Sequence, residues 1–93
     1  MTKAESRWLN QITQLGCIVC RLFHGTYSPA EAHHMLSGGR RRGHMFTIPL
    51  CILHHRSGRN DDQVVSRDHN QRRFEARYGT EQSLLETTRE LVK

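Results

Sequence analysis

The chain is poor in the groups that build a large core. Hydrophobic residues fill 35% of its 93 positions and aromatics 6%. Packing alone leaves so small a domain marginally stable, so a staple is expected. Cysteine is scarce, and its odd number, three, argues against a closed disulfide framework. No targeting segment precedes the first amphipathic pattern, which reads as a cytosolic chain whose thiols stay reduced and bind metal. No apolar run approaches membrane-spanning length, so no membrane partner is expected. Acidic residues are outnumbered nine to fourteen, giving a net charge of +5 with histidines neutral. Arg40, Arg41 and Arg42 form a triplet, followed by Arg56, Arg59, Arg67, Arg72 and Arg73. That balance favours a polyanionic partner, nucleic acid above all. Solubility alone is the plainer reading of the charge, which carries no sequence preference.

What is present is a ligand pattern. Cys17-Ile18-Val19-Cys20 and Cys51-Ile52-Leu53-His54 are two pairs of metal-type ligands with equal spacing. A two-residue spacer lets a turn present both ligands to one ion, and a Cys3His set suits tetrahedral structural zinc. His55 is the alternative fourth ligand; the equal spacing favours His54. His33, His34 and His55 remain as a surplus. A neutral imidazole serves as metal ligand or general base near pH 7. On a strand His33 and His34 would point to opposite faces and do different jobs. On a helix His55 would face about a quarter-turn from His54, toward a second site. His24 and His44 read as loop histidines, His44 beside the arginines and placed to contact phosphate. His69 lies in a polar stretch.

Along the chain, Thr2-Lys3-Ala4-Glu5 is a capping box opening a helix from about Lys3 to Leu15, with Gly16 as its stop. Arg21 to Pro29 reads as loop. Ser28-Pro29-Ala30-Glu31 opens either a helix or a strand over about Glu31 to Met35. Ser37-Gly38-Gly39 and the arginine triplet read as a flexible basic loop. Phe46 to Leu50 has strand composition, with Pro49 suggesting an edge or an end. A helix is expected from Cys51, another over about 69–78 stopped by Gly79, and a last over about 80–92. Arg89 and Lys93 near its end suit the helix dipole. The apolar face of this last helix makes a homodimer conceivable. No repeat or linker divides the chain, which reads as one domain over 1–93.

Together these residues resemble the HNH endonucleases, whose active site is a ββα-metal finger. The matching positions are Cys17/Cys20, His33-His34, Cys51/His54 and His55. More narrowly, Glu31-Ala32-His33-His34-Met35, Thr47-Ile48-Pro49-Leu50-Cys51, His54-His55-Arg56 and Phe74-Glu75-Ala76-Arg77-Tyr78-Gly79-Thr80-Glu81 are similar to the phage recombination-enhancement (Ref-like) nucleases. The resemblance implies an α+β fold: a small, mostly helical domain around a zinc-stapled ββα core over about 31–56. It decides for a strand at Glu31 to Met35. It implies His34 as general base, His33 and His55 as ligands of a catalytic Mg or Mn ion, and His69 as a further ligand or phosphate contact. It also implies a phage or prophage recombination enzyme in the cytoplasm of a bacterial host, with a recombinase–DNA filament among its partners. Two positions depart from the pattern. Phe46 stands where many HNH enzymes carry asparagine, and His54 stands where the last zinc ligand is commonly cysteine. Larger relatives also carry a basic N-terminal extension, which is not expected of this chain.

The expected function is therefore a metal-dependent DNA endonuclease of little sequence specificity, with Arg40, Arg41, Arg42, His44 and Arg56 on the phosphate backbone. The alternatives are a zinc-stapled nucleic-acid-binding module without catalysis and a protein-interaction module using the last helix.

Overall fold

The computed structural model describes residues 1–92; Lys93, expected near the end of the last helix, lies outside the described residues. Helix α1, Lys3–Leu15, begins at the expected capping box. Thr2 Oγ1 accepts from Glu5 N at 3.1 Å, and Glu5 Oε1 accepts from Thr2 N at 2.8 Å. Trp8 and Ile12 form its buried stripe. Gly16 ends it with φ +84°, and a Cβ there would lie 2.6 Å from the Tyr27 ring. Only glycine permits this approach, which lets Cys17 N donate to Ser28 O at 2.9 Å and start the next turn.

Arg21 to Pro29 is not all loop. Ile18 and Val19 are helical and lead into a π-helical turn, Cys20–His24, closed by Gly25 N donating to Cys20 O. Strand β1, Glu31–His34, pairs antiparallel with β4, Thr47–Leu50. The register sets His33 opposite Ile48 and His34 opposite Thr47. The open choice at Ser28 to Met35 thus falls to a strand, one residue shorter than expected. All four residues of β4 are buried, so Pro49 lies inside the molecule. The basic loop is a hairpin, β2 Leu36–Ser37 with β3 Arg40–Arg41. Gly38 and Gly39 make its turn with φ +58° and +80°. Two consecutive left-handed glycines match the twist of a tight hairpin, which is why the triplet is ordered.

One turn of helix, α2 Ile52–His55, follows β4 directly. Helix α3, Gln71–Tyr78, follows, and helix α4, Glu81–Leu91, packs against β4. Thr80 caps α4 by accepting from Ser83 N at 3.1 Å. Its Leu84 and Leu85 are buried in the chain's own core, and Leu91 is exposed. That core joins Trp8, Ile12, Ile48, Leu50, Phe74 and Leu85. Emptying a fully buried site such as Phe74 costs about 3–5 kcal/mol. The architecture is α+β, with four α-helices and two small antiparallel sheets among the described residues. No described helix is long and apolar enough to cross a membrane.

Candidate metal centre and histidine cluster

The first ligand group is built by two short turns. Cys17 and Cys20 flank the helical turn after Gly16, and Cys20 N donates to Cys17 Sγ at 3.4 Å. Cys51 is the N-cap of α2, and His54 lies on its last turn. The four side chains are buried, and their ligand atoms lie within 4.8 Å of one another. Cys20 Sγ is 3.8 Å from Cys51 Sγ. His54 Nδ1 is 3.8, 3.6 and 3.2 Å from the sulfurs of Cys17, Cys20 and Cys51. Tetrahedral zinc sets such edges at about 3.8 Å between sulfurs and about 3.6 Å between sulfur and nitrogen. The donor set therefore fits zinc, and His54 rather than His55 supplies the nitrogen.

Burial dominates the electrostatics here. It pushes the Cys17 thiol up to about 12, and pushes the Cys20 thiol up as well. It also holds His54 down at about 4, helped by the charges of His24, Arg77 and Arg59. Burial thus favours the protonated thiols of Cys17 and Cys20 until a cation displaces the protons. His24, expected as a free loop residue, stacks on His54 at 5.5 Å.

On the other side of α2 a second group forms. His33, His55 and Asp68 bring their ligand atoms within 4.8 Å of one another. The His33 and His55 rings meet edge to face at 5.0 Å. Asp68 was not foreseen. Arg67 N donates to His54 O at 2.7 Å and Asp68 N to His55 O at 2.9 Å, seating that stretch along α2. His69, expected as a further ligand or a phosphate contact, has φ +73° and is exposed, outside the group.

Each histidine of this group has a carboxylate on one ring nitrogen. His55 Nδ1 is 2.8 Å from Glu31 Oε1. Arg56 holds Glu31 in a fork at 2.9 and 3.1 Å from Nε and 2.9 Å from Nη2. The Arg56 bonds, with burial opposing them and His55 adding to them, lower the Glu31 carboxyl to about 2. Arg56, expected on the DNA backbone, is thus engaged within the chain. His33 Nε2 contacts Glu81 Oε1. Arg67 Nε and Gln71 Nε2 each lie 3.3 Å from the Glu81 carboxylate. Burial opposes ionisation of Glu81, but His33 and Arg67 outweigh it and lower its carboxyl. Carboxylates so placed fix ring orientation and tautomer, leaving the other nitrogen to bind a cation. Glu81 lies far along the chain, and no sequence pattern linked it to His33.

His34 is not one of this group. Its Nε2 is 3.1 Å from His44 Nδ1. Burial, then the charges of Arg41, His44 and His33, lower its pKa, keeping the ring neutral. Arg40 and Arg41 lie exposed on β3. Arg42 lies 4.2 Å over the Phe46 ring and Arg89 5.6 Å from the same ring.

No curated protein matches the chain in sequence. The family model for recombination enhancement, RecA-dependent nuclease, matches residues 1–93. With that match spanning its whole length, the chain belongs to the family of recombination-enhancing, RecA-dependent nucleases.

Proposed function

We propose that the chain is an HNH-type DNA endonuclease that hydrolyses phosphodiester bonds with little sequence specificity during RecA-dependent recombination. The observation that carries this reading is the convergence of His33, His55 and Asp68 beside a buried Cys3His group. The succession β1, hairpin, β4, α2 supports a ββα-metal core. In this reading Cys17, Cys20, Cys51 and His54 hold structural zinc, and His33, His55 and Asp68 hold a Mg or Mn ion. When bound, that ion supplies positive charge to the scissile phosphate. His33 and His55 keep their ligating nitrogens aimed because Glu81 and Glu31 hold the opposite ones. His34, neutral and on the other face of β1, takes a proton from the attacking water as its oxygen bonds to phosphorus; the bond to the leaving strand breaks, and the leaving oxygen takes a proton from solvent. Arg40, Arg41 and Arg42 lie along the phosphate backbone, which positions the strand without reading bases. The RecA–DNA filament enters as a partner through the family description.

The test is a cutting assay with added Mg or Mn. General-base catalysis contributes about 10²–10⁴-fold, so His34→Ala is expected to lose at least that much. Zinc content and circular dichroism should stay those of the wild type. Full cutting by His34→Ala would remove His34 from the reaction. DNA binding without cutting under any divalent ion would leave a zinc-stapled binding module.

A further inference from the structure

The asparagine expected near the base is replaced by Phe46, whose side chain cannot hydrogen-bond. We infer that His44 does its work: it positions the His34 ring and selects its tautomer. This rests on His34 being the base. A chain of contacts leads from the core to that ring. Trp8 Nε1 donates to Thr47 Oγ1 at 2.8 Å, both side chains being buried. Thr47 Oγ1 in turn donates to His44 O at 2.9 Å. A hydroxyl has one proton, and the proton of Thr47 is committed to the His44 backbone. Thr47, which stands opposite His34 in the sheet, therefore anchors the His44 segment and has no proton for His34.

The anchored segment brings His44 Nδ1 to 3.1 Å from His34 Nε2, with the rings crossed at 69°. A neutral pair of imidazoles makes one such bond by one ring donating and the other accepting. When His34 Nε2–H donates and His44 Nδ1 accepts, His34 Nδ1 keeps the lone pair that a base needs. Without the acceptor, the ring is free to turn and to exchange tautomers. The sequence reading set His44 on phosphate; its Nδ1 is instead spent on the neighbouring ring. His44 touches no reacting atom in this scheme and is a positioning residue.

Atom-specific replacements test it. Asparagine places an acceptor near the Nδ1 position, glutamine near Nε2, and phenylalanine offers neither. His44→Phe is expected to lower kcat on the order of 10²-fold, the scale of a misplaced catalytic group. KM and DNA affinity should hold. His44→Asn should restore most of kcat, and His44→Gln should not. Ring ¹⁵N shifts of His34 in the zinc-loaded chain should report the Nε2–H tautomer in wild type and His44→Asn, and a tautomer mixture in His44→Phe. Unchanged kcat and tautomer in His44→Phe would overturn the inference. So would a loss of DNA affinity with kcat kept, which would return His44 to the phosphate. If His44→Phe fails to fold, equal recovery by the asparagine and glutamine variants overturns it. If the wild type cuts no DNA, the base assignment falls, while the ¹⁵N shifts still decide the His34–His44 contact.

Discussion

The Cys17–Cys20–Cys51–His54 centre and the His33–His55–Asp68 cluster share one turn of helix, α2, and differ in what satisfies their ligands. In the first centre the three sulfurs and His54 Nδ1 face one another, with no carboxylate among them. Burial pushes the Cys17 and Cys20 thiols up and His54 down. Polar groups buried against one another in this way are costly until an ion binds them. In the second, His33 and His55 each lean on a carboxylate, and those carboxylates lean on Arg67 and Arg56. That arrangement is satisfied without an ion and keeps the rings aimed. On the proposed function, the contrast would separate a staple, whose ion completes the core, from a socket whose ion exchanges.

The largest expected effect breaks the staple. Cys51→Ala should abolish zinc binding and with it the near-ultraviolet circular dichroism of the folded chain. Structural zinc in finger peptides contributes about 10–16 kcal/mol at neutral pH, more than a small domain has in reserve. A Cys51→Ala chain that stays folded with no zinc would erase the distinction. A smaller effect is expected in the socket. Glu81→Gln should weaken Mn binding about 10–100-fold, as loss of a carboxylate behind a ligating histidine does, with zinc content unchanged. Equal Mn affinity in the variant would make Glu81 a packing residue only.

The smallest effect concerns pH. Glu31 in the folded chain is lowered from 4.5 to about 2, mainly by the Arg56 bonds. Its stabilising contribution is therefore complete above pH 4.5 and is lost as pH falls toward 2. It is on the order of 1 kcal/mol, because the pair is partly exposed. The stability gap between wild type and Glu31→Gln, followed by urea unfolding, should be flat above pH 4.5 and close below it. A gap that persists at pH 2 would assign it to shape rather than charge.

The staple was legible in the sequence because its ligands come in local pairs, each held by one turn. The start of α1 was legible for the same reason, since a capping box is complete within four residues. The strand position of His33-His34 needed the family resemblance, because the local signals at Ser28 to Glu31 also fit a helix start. The socket's supports were not legible. Glu81 reaches His33 from 48 positions away, and Asp68 reaches it through two backbone bonds to α2. Nothing local marks either as a partner. The hairpin β2–β3 was hidden for a different reason: Gly38-Gly39 reads equally as flexibility or as a tight turn. Only pairing of Leu36 with Arg41 distinguishes the two.

The central claim is that two separate cation sites flank α2. It is tested most directly by Mn binding to the zinc-loaded protein, read by electron paramagnetic resonance with zinc measured in parallel. The account predicts one exchangeable Mn per chain with zinc retained, lost in Asp68→Ala and His55→Ala and kept in His69→Ala. Mn that binds only by displacing zinc, or that binds Asp68→Ala as it binds the wild type, would contradict it.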